Sequence, residues 1–171
     1  MQDDSMTLAG LLATMPQIGR LDWIGIREVK REPLTIINEV EVISNRGLAG
    51  DHRTQREGGK RQVTLIQAEH LPVLAAITGH DEIPPEWLRR NLVVSGINLY
   101  ALRKSRFKIG DVLLEGSGTC PPCSRMETIL GPGGYNAMRG HGGINARVIE
   151  GGVIQTGDTV SLVSAIKADN K

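Results

Sequence analysis

The sequence predicts a mostly β protein with a few short helices, in which the strands close into a barrel-like sheet. The apolar residues fall in short runs rich in Val, Ile and Leu, glycine turns separate these runs, and few segments show helical periodicity. A parallel sheet with crossover helices fits less well, because strand and helix patterns do not alternate regularly along the chain.

The first third of the chain contains one helical pattern and two strand-like runs. Residues 7–15 are amphipathic over a short stretch, which predicts a docking helix or a frayed arm. Strand patterns follow over 21–29 and 34–43, where β-branched residues are frequent. A glycine-rich turn covers 44–51, and the polar, basic loop at 53–60 is expected to be mobile.

The middle of the chain contains the strongest helix signal. Residues 62–66 are typical of a buried strand, and 68–78 carry a helical apolar stripe that ends at Gly79. Residues 84–90 begin with proline, which predicts a helix of one to two turns. Residues 91–95 then return to a strand pattern.

The last third is again dominated by strand patterns. Residues 107–115 read as strand with a turn at Gly110-Asp111, and further strands are expected at 144–150 and 159–163. Residues 124–130 have the pattern of a short helix.

Length and composition fit one domain, which we place at residues 19–165 between an N-terminal extension, 1–18, and a C-terminal tail, 166–171. The formal net charge of +1 disfavours a general nucleic-acid or membrane-surface binder. Apolar runs are too short for a membrane span, and the acidic start lacks a signal-peptide pattern. These features predict a cytoplasmic protein that binds neither nucleic acid nor membrane.

The two cysteines of the chain, Cys120 and Cys123, lie three residues apart in a Cys-Pro-Pro-Cys segment. The predicted helix at 124–130 starts directly after them. A thiol at a helix N-terminus faces free backbone N–H groups and the positive end of the helix dipole, and both favour the thiolate.

Four interpretations of this pair remain open on the residues alone. It could be a dithiol–disulfide site, or a zinc site completed by two of the four histidines (His52, His70, His80 and His141), although their spacing is not typical of one. It could contain one nucleophilic or metal-ligating thiolate, Cys123, with Cys120 accessory. The two cysteines could also be small buried residues with no chemical role.

Two further features suggest an anion site. Residues 131–143 are rich in glycine, which leaves backbone amides open to an anion, and Arg139 and His141 would add charge. The alternative is a flexible hairpin connection. Basic residues are spread along the chain, and a cluster of arginines at one barrel end would hold a phosphate. Arg89-Arg90-Asn91 stands out, since it lies where a helix meets a strand.

Several motifs together resemble the MOSC domain, named for the C-terminal part of molybdenum cofactor sulfurases. They extend over roughly residues 19–165, and free-standing bacterial proteins of this type are the best match. The segments that carry the resemblance are Leu48-Ala49-Gly50-Asp51, Gln62-Val63-Thr64-Leu65-Ile66, Arg89 to Gly96, Ile109 to Val112, Cys120 to Arg125, Gly140 to Gly143 and Gly157-Asp158.

The resemblance implies a β-barrel-like MOSC fold with a pocket for the molybdenum cofactor (molybdopterin). Cys123 matches a family cysteine that ligates the metal or carries sulfur, and Cys120, which the whole family does not share, could resolve a persulfide or disulfide on it. The positions expected to contact the cofactor are Lys30, Arg53, Arg89, Asn91, Arg125, Arg139 and His141. Lys30 matches more loosely, and Arg53 would replace the arginine that relatives often have where this chain has His52.

The function that the resemblance implies has two forms. The protein could reduce N-hydroxylated substrates with electrons from a partner protein, or it could carry sulfur between donor and acceptor proteins as a Cys123 persulfide. The family is also associated with pyridoxal phosphate, but the chain shows no domain for it, so we do not expect it to extract sulfur from cysteine. The alternatives are a non-catalytic binding or interaction domain and a dithiol redox protein.

Overall fold

The computed structural model describes residues 6–166. Within this range it contains eleven strands and five short α-helices. The strands are β1 (Gly19–Ile26), β2 (Thr35–Ile37), β3 (Glu39–Ile43), β4 (Gly47–Leu48), β5 (Val63–Gln67), β6 (Leu92–Ser95), β7 (Ser105–Ile109), β8 (Val112–Thr119), β9 (Ile144–Glu150), β10 (Gly152–Gln155) and β11 (Thr159–Ala165). The helices are α1 (Leu8–Ala13), α2 (His70–Thr78), α3 (Leu99–Leu102), α4 (Arg125–Leu130) and α5 (Gly134–Met138), with 3₁₀ turns at His52–Gln55 and Pro85–Leu88.

Seven strands form a closed barrel, so the predicted fold class is confirmed. Their order around the barrel is β11-β7-β8-β9-β5-β6-β1, and pairing of β1 with β11 closes it at Gly19–Val160 and Arg20–Thr159. Within the barrel the strands pair in antiparallel fashion except for β5 and β6, which are parallel. β2 extends the sheet beside β1, and β10, β3 and β4 form a separate small sheet.

The barrel interior is filled almost entirely by aliphatic side chains. Phe107, the single phenylalanine of the chain, is fully buried there, together with residues such as Leu21, Leu65, Leu92 and Ile109. Each such side chain contributes about 1.5–3 kcal/mol by leaving water. The interior therefore acts as a core rather than a binding cavity, and ligands must bind at its surface.

A second apolar cluster lies outside the barrel. It packs α2, α4 and α5 against the outer face of β5 and β6 through buried residues that include Ile66, Leu74, Val93, Met126 and Met138. Because α4 follows the cysteine segment directly, this packing fixes that segment relative to β6.

The structure departs from the sequence-based expectations at several elements. The strand expected over 21–29 ends at Ile26, and the run at 34–43 is divided into β2 and β3. The helix α3 was not predicted. The segment 84–90 forms a 3₁₀ turn rather than an α-helix, and α1 contains no buried residue.

The glycine-rich segment at 131–143 is not simply an open loop, because α5 lies within it. Both oxygens of the Glu127 carboxylate, on α4, accept hydrogen bonds from backbone N–H groups, Gly133 at 2.7 Å and Tyr135 at 2.8 Å. These bonds satisfy amides at the start of α5 and hold the two helices together.

Parts of the expected extension and tail, residues 1–5 and 167–171, lie outside the described residues. None of the helices between residues 6 and 166 has the length and apolar character needed to cross a lipid bilayer.

Candidate anion-binding site beside Cys123

The cysteine segment connects the end of β8 to the start of α4. Its two thiols are free and differ in environment: Cys120 is 1% exposed, whereas Cys123 is exposed. The Cys120 N–H donates to the carbonyl of Gly143 at 2.8 Å, and the Met126 N–H donates to the carbonyl of Cys123 at 2.9 Å. The segment is thus fixed at both ends, and Cys123 presents its side chain to solvent.

The buried guanidinium of Arg90 holds the inner side of this segment. It donates to the carbonyls of Gly142 (2.8 Å), Leu88 (3.0 Å), Cys120 (3.2 Å) and Pro121 (3.4 Å). Burial lowers the pKa of Arg90. Because these contacts use all three of its nitrogens, Arg90 serves to position the cysteine segment against β6.

A cavity of about 260 Å³ opens beside Cys123. Seven of its nine lining residues are lysine or arginine, and none is acidic. The lining residues are Lys30, Arg31, Arg53, Arg61, Arg89, Arg90, Cys123, Ser124 and Arg125. Such a concentration of positive charge is typical of a site for phosphate or another anion.

Most of these cations have no partner within the protein. Among residues 6–166, no hydrogen bond or ion pair is made by the side chains of Lys30, Arg31, Arg61, Arg89 or Arg125. Burial and then the nearby Arg125 lower the pKa of Arg89, while Cys123 opposes this shift. These five side chains therefore carry positive charge that no hydrogen bond or ion pair within the described residues neutralises, and an anionic ligand would neutralise it.

The backbone is unusual at two of the cavity residues. Arg31 has φ 79° and Arg89 has φ 62°, and they are two of the three non-glycine residues with positive φ in the described chain. This left-handed conformation costs an L-residue about 1–2 kcal/mol. Backbone strain of this kind is often found where a side chain must be held toward a ligand.

A buried polar network lies beneath the cavity and positions Arg53. The Asn91 side chain, 5% exposed, donates to the Asp51 carboxylate and to the Gly25 carbonyl, each at 3.1 Å, and accepts from the N–H and hydroxyl of Thr64. The Asp51 carboxylate in turn accepts from the backbone N–H of Arg53 at 3.0 Å. Burial, and after it the charge of Arg61, lower the pKa of Arg53.

The structure brings together Cys123 and four of the predicted cofactor contacts: Lys30, Arg53, Arg89 and Arg125. Asn91 does not line the cavity, and its side chain is hydrogen-bonded to Thr64, Gly25 and Asp51 instead. The cationic cavity also contains Arg31, Arg61 and Arg90, which were not among the predicted contacts. Each lies in a basic pair of the sequence. Both members of Lys30-Arg31 and of Arg89-Arg90 line the cavity, whereas only Arg61 of Lys60-Arg61 does so.

Two predicted contacts lie elsewhere. Arg139 is exposed at a different cavity, and His141 packs edge-on against His70 with 5.1 Å between ring centroids. The glycines beside them allow close packing: a Cβ at Gly142 would overlap the carbonyl of Cys120. Gly140 to Gly143 therefore support the cysteine segment from behind and do not form part of the cationic cavity.

A zinc site at the cysteines finds no support in the described part of the chain. No group of three or more His, Cys, Asp or Glu side chains is close enough there to hold a metal ion. A metal bound at Cys123 would need its other ligands from outside these residues, for example from a cofactor.

A model of the MOSC domain family matches residues 50–161. The chain belongs to the MOSC domain family. The match includes both cysteines and five of the seven cations of the cavity, whereas Lys30 and Arg31 lie before it.

Solved MOSC-like structures share this fold. The YuaD protein from Bacillus subtilis superimposes with a TM-score of 0.73 at 22% identity, over 86% of this chain and 96% of that one. YiiM from Escherichia coli gives 0.66 at 20% identity, over 87% and 72% of the two chains. YiiM from Geobacillus stearothermophilus gives 0.68 at 18% identity, over 85% and 75%. The comparison with curated proteins found no match.

Proposed function

We propose that this MOSC protein binds the molybdenum cofactor in the cationic cavity, with Cys123 as the ligand of its metal or as the carrier of a sulfur atom. The observation that supports this most directly is an exposed thiol beside seven cations with no acidic residue among the cavity lining. The MOSC family is associated with this cofactor, which carries a phosphate and a metal that prefers soft ligands.

The residues of the cavity fit the two ends of such a ligand. The unpartnered guanidinium groups of Arg89 and Arg125 can donate paired hydrogen bonds to a phosphate, and Lys30 can add a point charge. Cys123 offers a thiolate on the same cavity wall. When bound, the cofactor would supply redox chemistry, while the protein would supply charge, orientation and one sulfur ligand.

Two forms of this function follow. As an enzyme, the protein would reduce an N-hydroxylated compound to the amine and water, which consumes two electrons and two protons, and a partner protein would supply the electrons. As a carrier, the Cys123 thiolate would attack the terminal sulfur of a donor persulfide. The donor would leave as a thiolate, and Cys123 would keep the sulfur as a persulfide.

Metal and pterin analysis of the protein, purified from a host that makes the cofactor, tests the proposal. We expect molybdenum and pterin in equal amounts. Arg89→Gln should lower both, whereas Cys123→Ser should lower the metal more than the pterin. Arg20→Gln, on the exposed side of β1, is the matched control for loss of one positive charge.

The same samples separate the two forms. A mass increase of one sulfur atom on Cys123, removed by reductant, supports the carrier. Cofactor without this modification supports the enzyme. Wild-type protein with neither molybdenum nor pterin nor a Cys123 persulfide, or with stoichiometric zinc, contradicts the proposal and favours a non-catalytic binding domain.

A further inference from the structure

A second cavity lies on the cysteine segment. Residues 119–122 border it, whereas residues 123–125 border the cationic cavity, and the two cavities share no lining residue. The volume of the second cavity is about 270 Å³. This is slightly below the roughly 300–1,000 Å³ of sites for drug-sized ligands, so its occupant must be small.

The lining of this cavity is mostly apolar. It consists of Leu99, Pro121, Pro122, Met138 and Ile144, the rings of Tyr100 and Tyr135, and a few polar groups. No acidic residue is among the lining residues. Arg103 stacks on Tyr100, with its guanidinium carbon 3.7 Å from the ring centroid, and so restrains that ring. Such a surface suits a flat ring compound.

Two basic side chains determine which polar groups of a ligand the cavity would bind. Arg139 borders it and is exposed, with one long hydrogen bond of 3.4 Å to Asn136. His70 also borders it, and its Nδ1 is buried without a partner. Burial, and after it His141, lower the pKa of His70, so the ring is neutral near pH 7 and can donate one N–H.

We propose that this cavity binds a small planar ring compound that carries a carboxylate or another hydrogen-bond acceptor. The ring packs against Tyr100 and Tyr135, and the acceptor is bound by His70 and Arg139. The occupant also contacts Cys120, Pro121 and Pro122, and therefore lies against the segment that ends at Cys123. This site is independent of the cofactor proposed above, since it uses other residues.

Ligand-observed NMR with three matched probes tests the proposal: benzoate, benzamide and benzylammonium. They share one ring and differ in charge. We expect saturable binding in the millimolar range in the order benzoate, benzamide, benzylammonium. Arg139→Gln should weaken benzoate by about fivefold and benzamide little, because the charge-assisted bond is lost. His70→Phe should weaken both.

Neither variant should disturb the fold, so a loss of binding can be assigned to the cavity. Arg139 is exposed, and His70→Phe removes a nitrogen that has no partner, so both proteins should fold. Arg20→Gln is the control that should bind benzoate as the wild type does. The proposal is overturned if no probe binds, if benzylammonium binds as well as benzoate, or if neither Arg139→Gln nor His70→Phe changes the affinity.

Discussion

The Asn91 amide donates a hydrogen bond to the Asp51 carboxylate, with 3.1 Å between Nδ2 and Oδ2. This bond joins the start of β6 to the turn that positions Arg53. Both side chains are buried, so the network that underlies the cationic cavity is also part of the folded core. Changes there should affect stability and the cavity together.

Asn91→Ala should lower the free energy of unfolding by about 2–4 kcal/mol, because it removes the four hydrogen bonds that this buried side chain makes with Asp51, Gly25 and Thr64. Denaturant unfolding measures this loss. Asn98→Ala is the control: Asn98 caps α3 at the surface, and its loss should cost only about 1 kcal/mol. Equal losses of stability in the two variants would show that the buried network stabilises the fold no more than a surface helix cap does.

Arg89→Gly and Arg89→Ala should both weaken sulfate binding in the cationic cavity, as measured by calorimetry. Their stabilities should differ, because glycine adopts the left-handed conformation at φ 62° without the penalty of a side chain. We expect the glycine variant to be the more stable by about 1 kcal/mol.

Arg103 provides the control pair for this comparison. It has φ −60° and ψ −14°, an ordinary right-handed conformation, so Arg103→Ala should be more stable than Arg103→Gly. The same order at both positions would contradict the argument from backbone conformation.

Cys123 should react with the anionic thiol reagent DTNB in the folded protein, whereas Cys120 should react only after unfolding. Thiol counts before and after denaturation should therefore be one and two. Salt and Arg125→Gln should both slow the reaction of Cys123, because each reduces the attraction of the cavity for an anion. Neutral iodoacetamide should be far less sensitive to salt, and equal native rates for both thiols would contradict the prediction.

Glu127→Gln should destabilise the protein near neutral pH and have less effect in acid. Hydrogen bonds from the N–H groups of Tyr135 and then Gly133 lower the pKa of Glu127 in the folded state. The stability it provides is therefore present above the ordinary glutamate pKa, about 4.3, and is lost as pH falls through the lower folded value. Melting temperatures from pH 7 downward test this, with Glu86→Gln, an exposed glutamate, as the control. A difference between wild type and Glu127→Gln that does not depend on pH would contradict it.

The barrel could be predicted because each of its strands has a pattern in the local sequence, a short aliphatic run between glycine turns. The helix α5 could not, because the group that starts it is Glu127, which lies on the preceding helix. Glycine density in that segment predicts loop, and a contact between neighbouring helices overrides the local preference.

The site was partly predictable for a similar reason. Cys123 and Arg125 belong to one short segment, so their proximity is evident in the sequence. Arg31 and Arg61 reach the same cavity only through the strand order of the barrel, which local patterns do not contain. An imidazole can bind an anion, but the loop that carries His141 packs behind Arg90 and places the ring against His70.

The pairing of Gly19 with Val160 has a consequence for how the protein folds. The barrel cannot close until the strand nearest the end of the domain reaches the first one, so its last contact spans almost the whole domain. Contacts of such long sequence separation form slowly. Until then β1 has an open edge, and a chain shortened before β11 would keep that edge permanently available for pairing with other chains.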